Sequence, residues 1–184
     1  MTWYVGFRAP RTSGLTEDAR LIWAWMQALT PLDPALSLWR PTNRSRTHAH
    51  ASPPITLDQL TTRIQREQDT SEFPDFVCSP AFVGTIDGQG TTTLFSFGMP
   101  NPGDLGITLE GGAQLSAAID ASEELADALM RTSATILNPT IGTLERSDLG
   151  HDMYGGAPAP FQYVPGWKMY VATTSPHHER AHQL

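Results

Sequence analysis

The chain has 184 residues, 40% of them apolar, which suffices for one domain with a full hydrophobic core but not for two comfortable ones. No run of about 18 apolar residues occurs, which argues against a membrane span, and residues 1–11 lack the apolar stretch of a signal peptide. The single cysteine, Cys78, cannot form an internal disulfide, so we expect a cytosolic protein in which this thiol is a small buried hydrophobe.

The formal net charge of −7 is distributed unevenly along the chain. Residues 1–66 carry eight basic and four acidic side chains, whereas residues 67–160 carry two basic and fourteen acidic ones. An acidic surface repels nucleic acid and attracts basic proteins, so the distribution disfavours direct binding of DNA or RNA. An ordinary solvated acidic surface is the alternative explanation of the same pattern.

The first forty residues predict a strand followed by a helix. Residues 3–7 are rich in aromatic and β-branched side chains, which favours a strand. Thr16 is placed to cap a helix whose first turn is acidic, and Pro31 ends it. The apolar positions of this helix recur at helical spacing and predict one buried stripe: Ala19, Ile22, Trp23, Met26 and Leu29.

A second helix is predicted over residues 56–67, after a polar loop at 41–54. Thr56 and Gln59 form a capping-box pattern, in which each side chain satisfies a backbone amide of the other residue. The apolar face of this helix is modest and consists of Leu57, Leu60 and Ile64.

From residue 81 onward the pattern becomes typical of strands. Runs at 81–86 and 91–97 flank the turn sequence that begins at Asp87, which predicts a hairpin. Further strands are predicted at 106–110 and 114–119.

The last third of the chain predicts a helix and two strands. Ser122 is placed to cap the helix and Asn138 ends it; its predicted buried stripe is Leu125, Ala128, Leu129 and Ile136. A weak strand at 141–144 and a clear strand at 163–172 enclose a Gly- and Pro-rich loop at 147–160.

These elements together predict a single domain spanning residues 1–184. The expected fold class is α+β, a mostly antiparallel twisted sheet with about three helices packed on one face. No internal repeat or linker divides the chain, and residues 173–184 are expected to form a flexible polar tail.

Two histidine motifs bear on possible metal chemistry. His178 and His182 stand in an H-E-x-x-H sequence, which on a helix binds zinc with Glu179 as general base. A third protein ligand is missing downstream and the flanking residues are polar, so we interpret the motif as part of the tail, able to bind metal adventitiously. His48 and His50 lie in a polar loop without nearby carboxylates. The sequence therefore predicts no metal site, no cofactor and no catalytic residues.

Three short motifs resemble those of a known family. The chain opens with an aromatic strand that contains Gly6 and leads into Arg8-Ala9-Pro10, and its first helix is followed by Leu32-Asp33-Pro34 and then Trp39. It closes with Gly166-Trp167-x-x-Tyr170. In these features it resembles the immunity protein 52 family, bacterial antitoxins encoded beside polymorphic toxins.

The sequence departs from that family at two places. Arg44-Ser45-Arg46 is similar to a Gly-Arg-Ser-Arg stretch of the family, but the glycine is absent. Leu137-Asn138-Pro139 stands where family members have a Trp-x-Pro-like segment. These differences leave the type of toxin open.

The resemblance implies a cytosolic α+β protein that is not an enzyme and that binds and blocks its cognate toxin. Such toxins are often nucleases, so the expected partner is a basic, nuclease-like protein whose active site is occluded. An acidic adaptor or chaperone for a secreted effector is the alternative, and an enzyme, supported only by H-E-x-x-H, is a third. The oligomeric state is left open.

The candidate toxin-binding residues are acidic or aromatic side chains in loops and at strand ends. The segment 147–162 is longer than packing requires, and such loops are often functional; an ordinary mobile surface loop is the alternative. The candidates are Asp148, Asp152 and Tyr154 in this segment, with Asp87, Asp104 and Glu110 as secondary positions.

Overall fold

The computed structural model describes residues 2–10, 14–42, 52–70, 82–86, 89–98, 104–146 and 168–174. These ranges contain four α-helices, seven strands and one 3₁₀ turn at Pro34–Leu36. In chain order the elements are β1 (Trp3–Pro10), α1 (Leu15–Leu29), β2 (Arg40–Pro41), α2 (Leu57–Thr70), β3 (Phe82–Ile86), β4 (Gln89–Gly98), β5 (Asp104–Glu110), α3 (Ala113–Ala121), α4 (Glu123–Leu137), β6 (Ile141–Arg146) and β7 (Lys168–Val171). The predicted α+β class is confirmed.

The strands form one sheet in the order β2-β3-β4-β5-β1-β6-β7, and each described neighbouring pair is antiparallel. The predicted hairpin is confirmed, because β3 and β4 pair as far as Ile86 opposite Gln89. The opening strand β1 lies between β5 and β6, so its two partners come from much later in the chain. Assembly of the sheet therefore depends on pairings between strands that are distant in sequence.

One face of the sheet carries the hydrophobic core. Side chains alternate across a strand, and the odd-numbered residues of β1 and β5 are buried while the even-numbered ones are half-buried or exposed. All four helices contribute buried side chains to the same cluster. The core contacts from the sheet are Trp3, Val5, Phe7, Ala9, Phe82, Leu105, Ile107, Leu109 and Leu144.

The start and the stripe of α1 differ from the prediction. The helix begins at Leu15 after an extended Gly14, and no side chain caps it, so Thr16 is not the cap. The fully buried tryptophan is Trp25, which contacts α4, whereas Trp23 is half-buried at the edge of the core. The remaining predicted positions, Ala19, Ile22, Met26 and Leu29, are buried as expected.

The capping box of α2 is confirmed in both directions. The backbone N–H of Thr56 donates to Gln59 Oε1 at 3.0 Å, and that of Gln59 donates to Thr56 Oγ1 at 3.3 Å. Leu60 and Ile64 are buried and Leu57 packs at the core edge. The helix continues to Thr70, beyond the predicted end.

The segment predicted as a strand at 114–119 is the helix α3, so the fold contains four described α-helices rather than about three. Alanine is the best helix former, and Ala113, Ala117, Ala118 and Ala121 make up much of this segment. Leu115 and Ile119 are one helical turn apart, and both are buried.

Both ends of α4 agree with the sequence. Ser122 Oγ accepts a hydrogen bond from the backbone N–H of Leu125 at 3.2 Å, and Asn138 ends the helix in the left-handed conformation with φ of 43°. The buried face of the helix is rotated slightly from the predicted one, since the predicted members Leu125, Ala128 and Ile136 are only half-buried. Its members are Ala126, Leu129, Met130, Ser133 and Leu137.

Candidate interaction surfaces

Glu110 lies in a short row of polar residues on the sheet face opposite the helices. Tyr4 of β1 is opposite Glu110 on one side and opposite Glu145 on the other. Glu110 and Tyr4 are half-buried, while Glu145 is 5% exposed. Glu145 is too buried to meet a partner, so the accessible part of the row is Glu110 beside Tyr4, and a carboxylate beside an aromatic ring suits a basic side chain. Sequence reasoning selected Glu110 but missed Tyr4 and Glu145, because only the strand register brings them together.

Asp104 does not join this row. It is the first residue of β5 and is opposite Pro10, whereas Glu110 is the last residue of the same strand. At the ordinary rise of a strand, six residues separate the two positions by about 20 Å. The two secondary candidates on β5 therefore belong to different ends of the sheet.

The other candidates, Asp87, Asp148, Asp152 and Tyr154, lie outside the described residues, as do both histidine motifs. The attachment of the segment that contains Asp148 is nevertheless defined. It leaves β6 after Arg146 and returns at Lys168 of β7, and these two strands are antiparallel neighbours. A loop of about two to five residues joins such a pair in an ordinary hairpin, so the length of 147–167 is not set by the strand pairing.

A group of acidic side chains surrounds the beginning of α4. Glu123 and Glu124 are exposed in its first turn, and Asp127 follows one turn later. Lys168 Nζ of β7 contacts Glu123 Oε1 at 2.9 Å and Asp127 Oδ1 at 2.6 Å. Sequence reasoning assigned Glu123 and Glu124 to the helix dipole, and it did not foresee this cation from a strand more than thirty residues later.

Hydrogen bonds favour the charged forms of these groups. The hydrogen bond from Lys168 lowers the pKa of Asp127, and the bonds to Asp127 and Glu123 raise the pKa of Lys168. The pKa of Glu124 is lowered by its own backbone N–H and by the Ser122 hydroxyl, which donates to Oε2 at 3.0 Å. Glu124 is thus an exposed carboxylate that stays ionised at neutral pH.

An open groove of about 350 Å³ lies between the first turns of α1 and α2. The groove is lined by Thr16, Arg20, Leu57, Asp58, Thr61 and Thr62. This lining contains one cation and one carboxylate, but it does not pair a nucleophile with a base. Within the described ranges no group of His, Cys, Asp and Glu side chains is arranged to hold a metal ion. None of the helices described is long and apolar enough to cross a membrane.

Comparison with known proteins leaves the family open. No family model matches the chain, and no curated protein sequence matches it. Among solved structures, it is similar to the Pseudomonas aeruginosa T6SS protein PA0821, with 10% sequence identity and a TM-score of 0.37. The alignment covers 76% of this chain but only 38% of that protein. A likeness this distant does not assign a function, so the resemblance to immunity protein 52 depends on the sequence motifs.

Proposed function

We propose that this chain is an immunity protein, which binds a cognate bacterial toxin and neutralises it by occluding its active site. The proposed toxin is a basic, cytosol-acting nuclease. The observation that carries the proposal is the concentration of fourteen acidic and only two basic side chains in residues 67–160. A nuclease binds a polyanion and is therefore basic, and a strongly acidic surface is its natural complement.

The described part of this segment supports the proposal. Asp120, Glu123 and Glu124 are exposed, and Glu110 and Asp127 are half-buried. Lys168 offsets part of the charge at the start of α4, and Glu124 is held ionised. Glu123 and Asp127 are engaged by Lys168, and Asp120 accepts from Trp3 Nε1 at 2.9 Å. Glu124 is therefore the exposed carboxylate of this group that is best placed to meet a basic partner.

The motifs that carry the family resemblance have structural roles in this fold. Trp3 and Trp39 are buried in the core, and Tyr170 packs against it. Asp33 of the Leu-Asp-Pro sequence caps the 3₁₀ turn, where its Oδ1 accepts from the N–H of Ala35 at 2.7 Å. Residues of this kind specify a scaffold, which is consistent with a binding protein whose specificity is carried by other residues.

The proposed mechanism is non-enzymatic and stoichiometric. Charge complementarity raises association rates toward about 10⁸–10⁹ M⁻¹s⁻¹, and an antitoxin needs such rates because it must capture the toxin before damage occurs. A typical interface of this type buries about 1,600 Å² and derives its energy from a few central anchors. Asp148, Asp152 and Tyr154 are the proposed contacts from the segment between β6 and β7.

Co-expression tests the proposal. The toxin-like gene expected beside this one is expressed alone and with this protein, viability is scored, and the pair is purified over a sizing column. We expect rescue and a stable one-to-one complex. A complex without rescue would favour the acidic adaptor or chaperone instead, because a chaperone stabilises its cargo without inhibiting it. Neither rescue nor complex would contradict both.

A further inference from the structure

The two edges of the described sheet differ. At one edge, β2 has only two residues, and Pro41 lacks a backbone N–H. Later residues also cover this edge, since the Arg40 side chain donates to the carbonyl of Ser52. The N–H of Ile55 donates to the carbonyl of Trp39, just before β2, at 2.8 Å. Short strands, proline and covering loops block strand addition, so this edge is protected by the chain itself.

The opposite edge is β7, beyond which no described strand lies. This strand consists of Lys168–Val171 and contains no proline. It follows directly on the segment 147–167, to which the proposed function assigns toxin contacts. An edge of this kind presents backbone groups with which a strand from another chain can pair.

The strand register shows which backbone groups of β7 point outward. The N–H of Ala172 donates to the carbonyl of Thr140 on the β6 side at 3.1 Å, and in an antiparallel ladder such bonded pairs alternate with non-bonded ones. Tyr170, two residues earlier, therefore bonds to β6 as well. The N–H and C=O groups of Met169 and Val171 point away from β6, toward the outer edge.

This edge lies beside an excess of negative charge. Lys168, the first residue of β7, contacts both Glu123 and Asp127, so the first turn of α4 lies next to this end of the strand. Together with Glu124, the group has three carboxylates against one ammonium, and Glu124 is exposed and ionised. A strand added to β7 would lie about 4.8 Å from it, so its helix-side residues would pass this group. Basic side chains suit that position.

We propose that the toxin adds a strand to the outer edge of β7, bonds to the backbone of Met169 and Val171, and directs basic side chains toward the start of α4. This inference rests on the proposed function and names its binding mode. The added strand and the contacts proposed for Asp148 and Asp152 belong to the same side of the sheet. Backbone bonds supply affinity in this mode, and alternate side chains supply specificity.

Charge favours a different protein over a second copy of this chain as the source of the added strand. Symmetric pairing of β7 with β7 would place the two acidic starts of α4 close together at the seam of the joined sheet. Like charges brought together in this way oppose association. A basic strand of the toxin meets the same carboxylates with an attractive charge.

Amide hydrogen exchange tests the pairing directly. The full chain is measured by NMR, alone and with a catalytically inactive form of the toxin that the proposed function expects the adjacent gene to encode. We expect the amides of Met169 and Val171 to exchange about tenfold or more slowly in the complex. The amide of Tyr170, which already bonds to β6, should be protected in both states and is the internal control. Unchanged exchange at Met169 and Val171 in a saturated complex would overturn strand addition and leave the immunity function standing.

A proline variant tests whether the outward N–H contributes to affinity. Val171→Pro removes this donor without removing a bond to β6, and Val171→Ala shortens the same side chain but keeps the donor. We expect Val171→Pro to raise Kd by about tenfold or more in calorimetric titration, and Val171→Ala to stay within about threefold of the wild type. Equal affinity of the two variants would contradict the inference. The exchange measurement decides the question if Val171→Pro does not fold.

A pair of charge reversals tests the basic character of the added strand. Glu124→Lys and Glu17→Lys both reverse an exposed glutamate in the first turn of a helix, so their cost to the helix dipole is matched. We expect Glu124→Lys to raise Kd by about fivefold or more and Glu17→Lys to leave it within about twofold. Equal effects would contradict a basic strand at the start of α4.

The remaining outcomes separate this inference from the proposed function. A wild-type protein that does not bind the toxin would overturn both. Slow exchange at Met169 and Val171 in the isolated monomer would assign the edge to another segment of this chain. Slow exchange there in an isolated dimer, identified on a sizing column, would assign it to a second copy. Either result would contradict the inference.

Discussion

Trp25 and Ser133 form a fully buried polar contact between two helices of the described core. The indole Nε1–H of Trp25 on α1 donates to Ser133 Oγ on α4 at 2.8 Å, and both residues are 0% exposed. Trp25 is the largest fully buried side chain of the described core. The bond to Ser133 satisfies its indole N–H, which is the single hydrogen-bond donor of that side chain. It also fixes the packing of α1 against α4.

We predict that Ser133→Ala destabilises the protein by about 1–3 kcal/mol, because it leaves the indole N–H buried without its acceptor. Urea unfolding followed by fluorescence measures this change. Thr135→Ala is the control on the same helix; its hydroxyl is exposed and bonds only to Arg131 O, so its effect should stay within about 0.5 kcal/mol. Equal stability of Ser133→Ala and wild type would contradict the account of this bond.

The sequence could not have identified this pair. Trp25 is three residues after Ile22 and four before Leu29, which places it beside the apolar stripe of α1. Trp23 lies beside the same stripe on its other side, so helical spacing alone does not distinguish the two. The partner that distinguishes them is 108 residues away in sequence. Periodicity predicts which face of a helix is apolar, but the choice between two aromatic positions that flank this face depends on tertiary packing.

At the candidate site, we predict that reversing the charges of Asp148 and Asp152 to lysine weakens toxin binding by about tenfold or more while Tm stays the same. Charges that face a basic partner contribute to binding and not to the fold. Binding is measured by calorimetry and Tm by circular dichroism.

The control for this pair is Glu17→Lys with Asp58→Lys, an equal change of charge at two helix starts in the basic part of the chain. It should leave affinity nearly unchanged and lower Tm slightly, because it opposes the helix dipoles. Affinity that is insensitive to the reversal at Asp148 and Asp152 would exclude these residues from the interface.

Among the elements, β7 is held to α4 by the contacts of Lys168 with Asp127 and Glu123. The pKa of Asp127 is lowered, so its contribution to stability is present above the ordinary aspartate value of about 3.9 and is lost as the pH falls through the lowered pKa. The pKa of Lys168 is raised, so its contribution is complete below about 10.4 and is lost as the pH rises through the raised pKa.

We therefore predict that Lys168→Met lowers Tm by an amount that is constant between about pH 5 and pH 9 and shrinks outside that window. Thermal unfolding of the wild type and the variant across this range measures the difference. Asp127→Asn should lower Tm more than Glu123→Gln, because the Glu123 side chain is 82% exposed and Asp127 is 42% exposed. A Tm difference that persists unchanged down to about pH 2 would contradict the assignment.

How well the sequence predicts an element depends on how far apart in sequence the interacting residues lie. The capping box of α2 and the cap at Ser122 depend on residues three apart, and both were predicted from the sequence and confirmed. The strand predicted at 114–119 was wrong because a short apolar run fits either period, and the alanines decided for the helix α3. The contacts of Lys168 with Glu123 and Asp127, and the alignment of Tyr4 with Glu110 and Glu145, depend on how the strands pair. No local sequence pattern encodes this pairing.

At the scale of the whole molecule, the arrangement of strands separates the scaffold from the proposed contacts. β1 pairs with β5 and β6, so the centre of the sheet is complete only when residues 104–146 are in place. The segment that carries Asp148 and Asp152 then connects two strands that are already neighbours at one side of the sheet. We expect changes in this segment to leave the described strand pairings intact, which would allow specificity to vary on a constant fold.

The charge distribution predicts a dependence on ionic strength for the whole complex. The screening length falls from about 10 Å at 0.1 M salt to about 3 Å at 1 M, which weakens attraction between surfaces before they touch. The association rate of the complex should therefore fall steeply with added salt, whereas the dissociation rate should change less. Stopped-flow mixing at several salt concentrations measures both, and an association rate that is independent of salt would contradict electrostatic steering.

The central claim is stoichiometric inhibition of a toxin. The most direct measurement is a titration, with this protein at nanomolar concentrations, of the purified nuclease that the proposal expects the adjacent gene to encode. We predict that nuclease activity falls linearly with added protein and reaches zero at an equal molar amount. Activity that persists when this protein is in molar excess would contradict the claim.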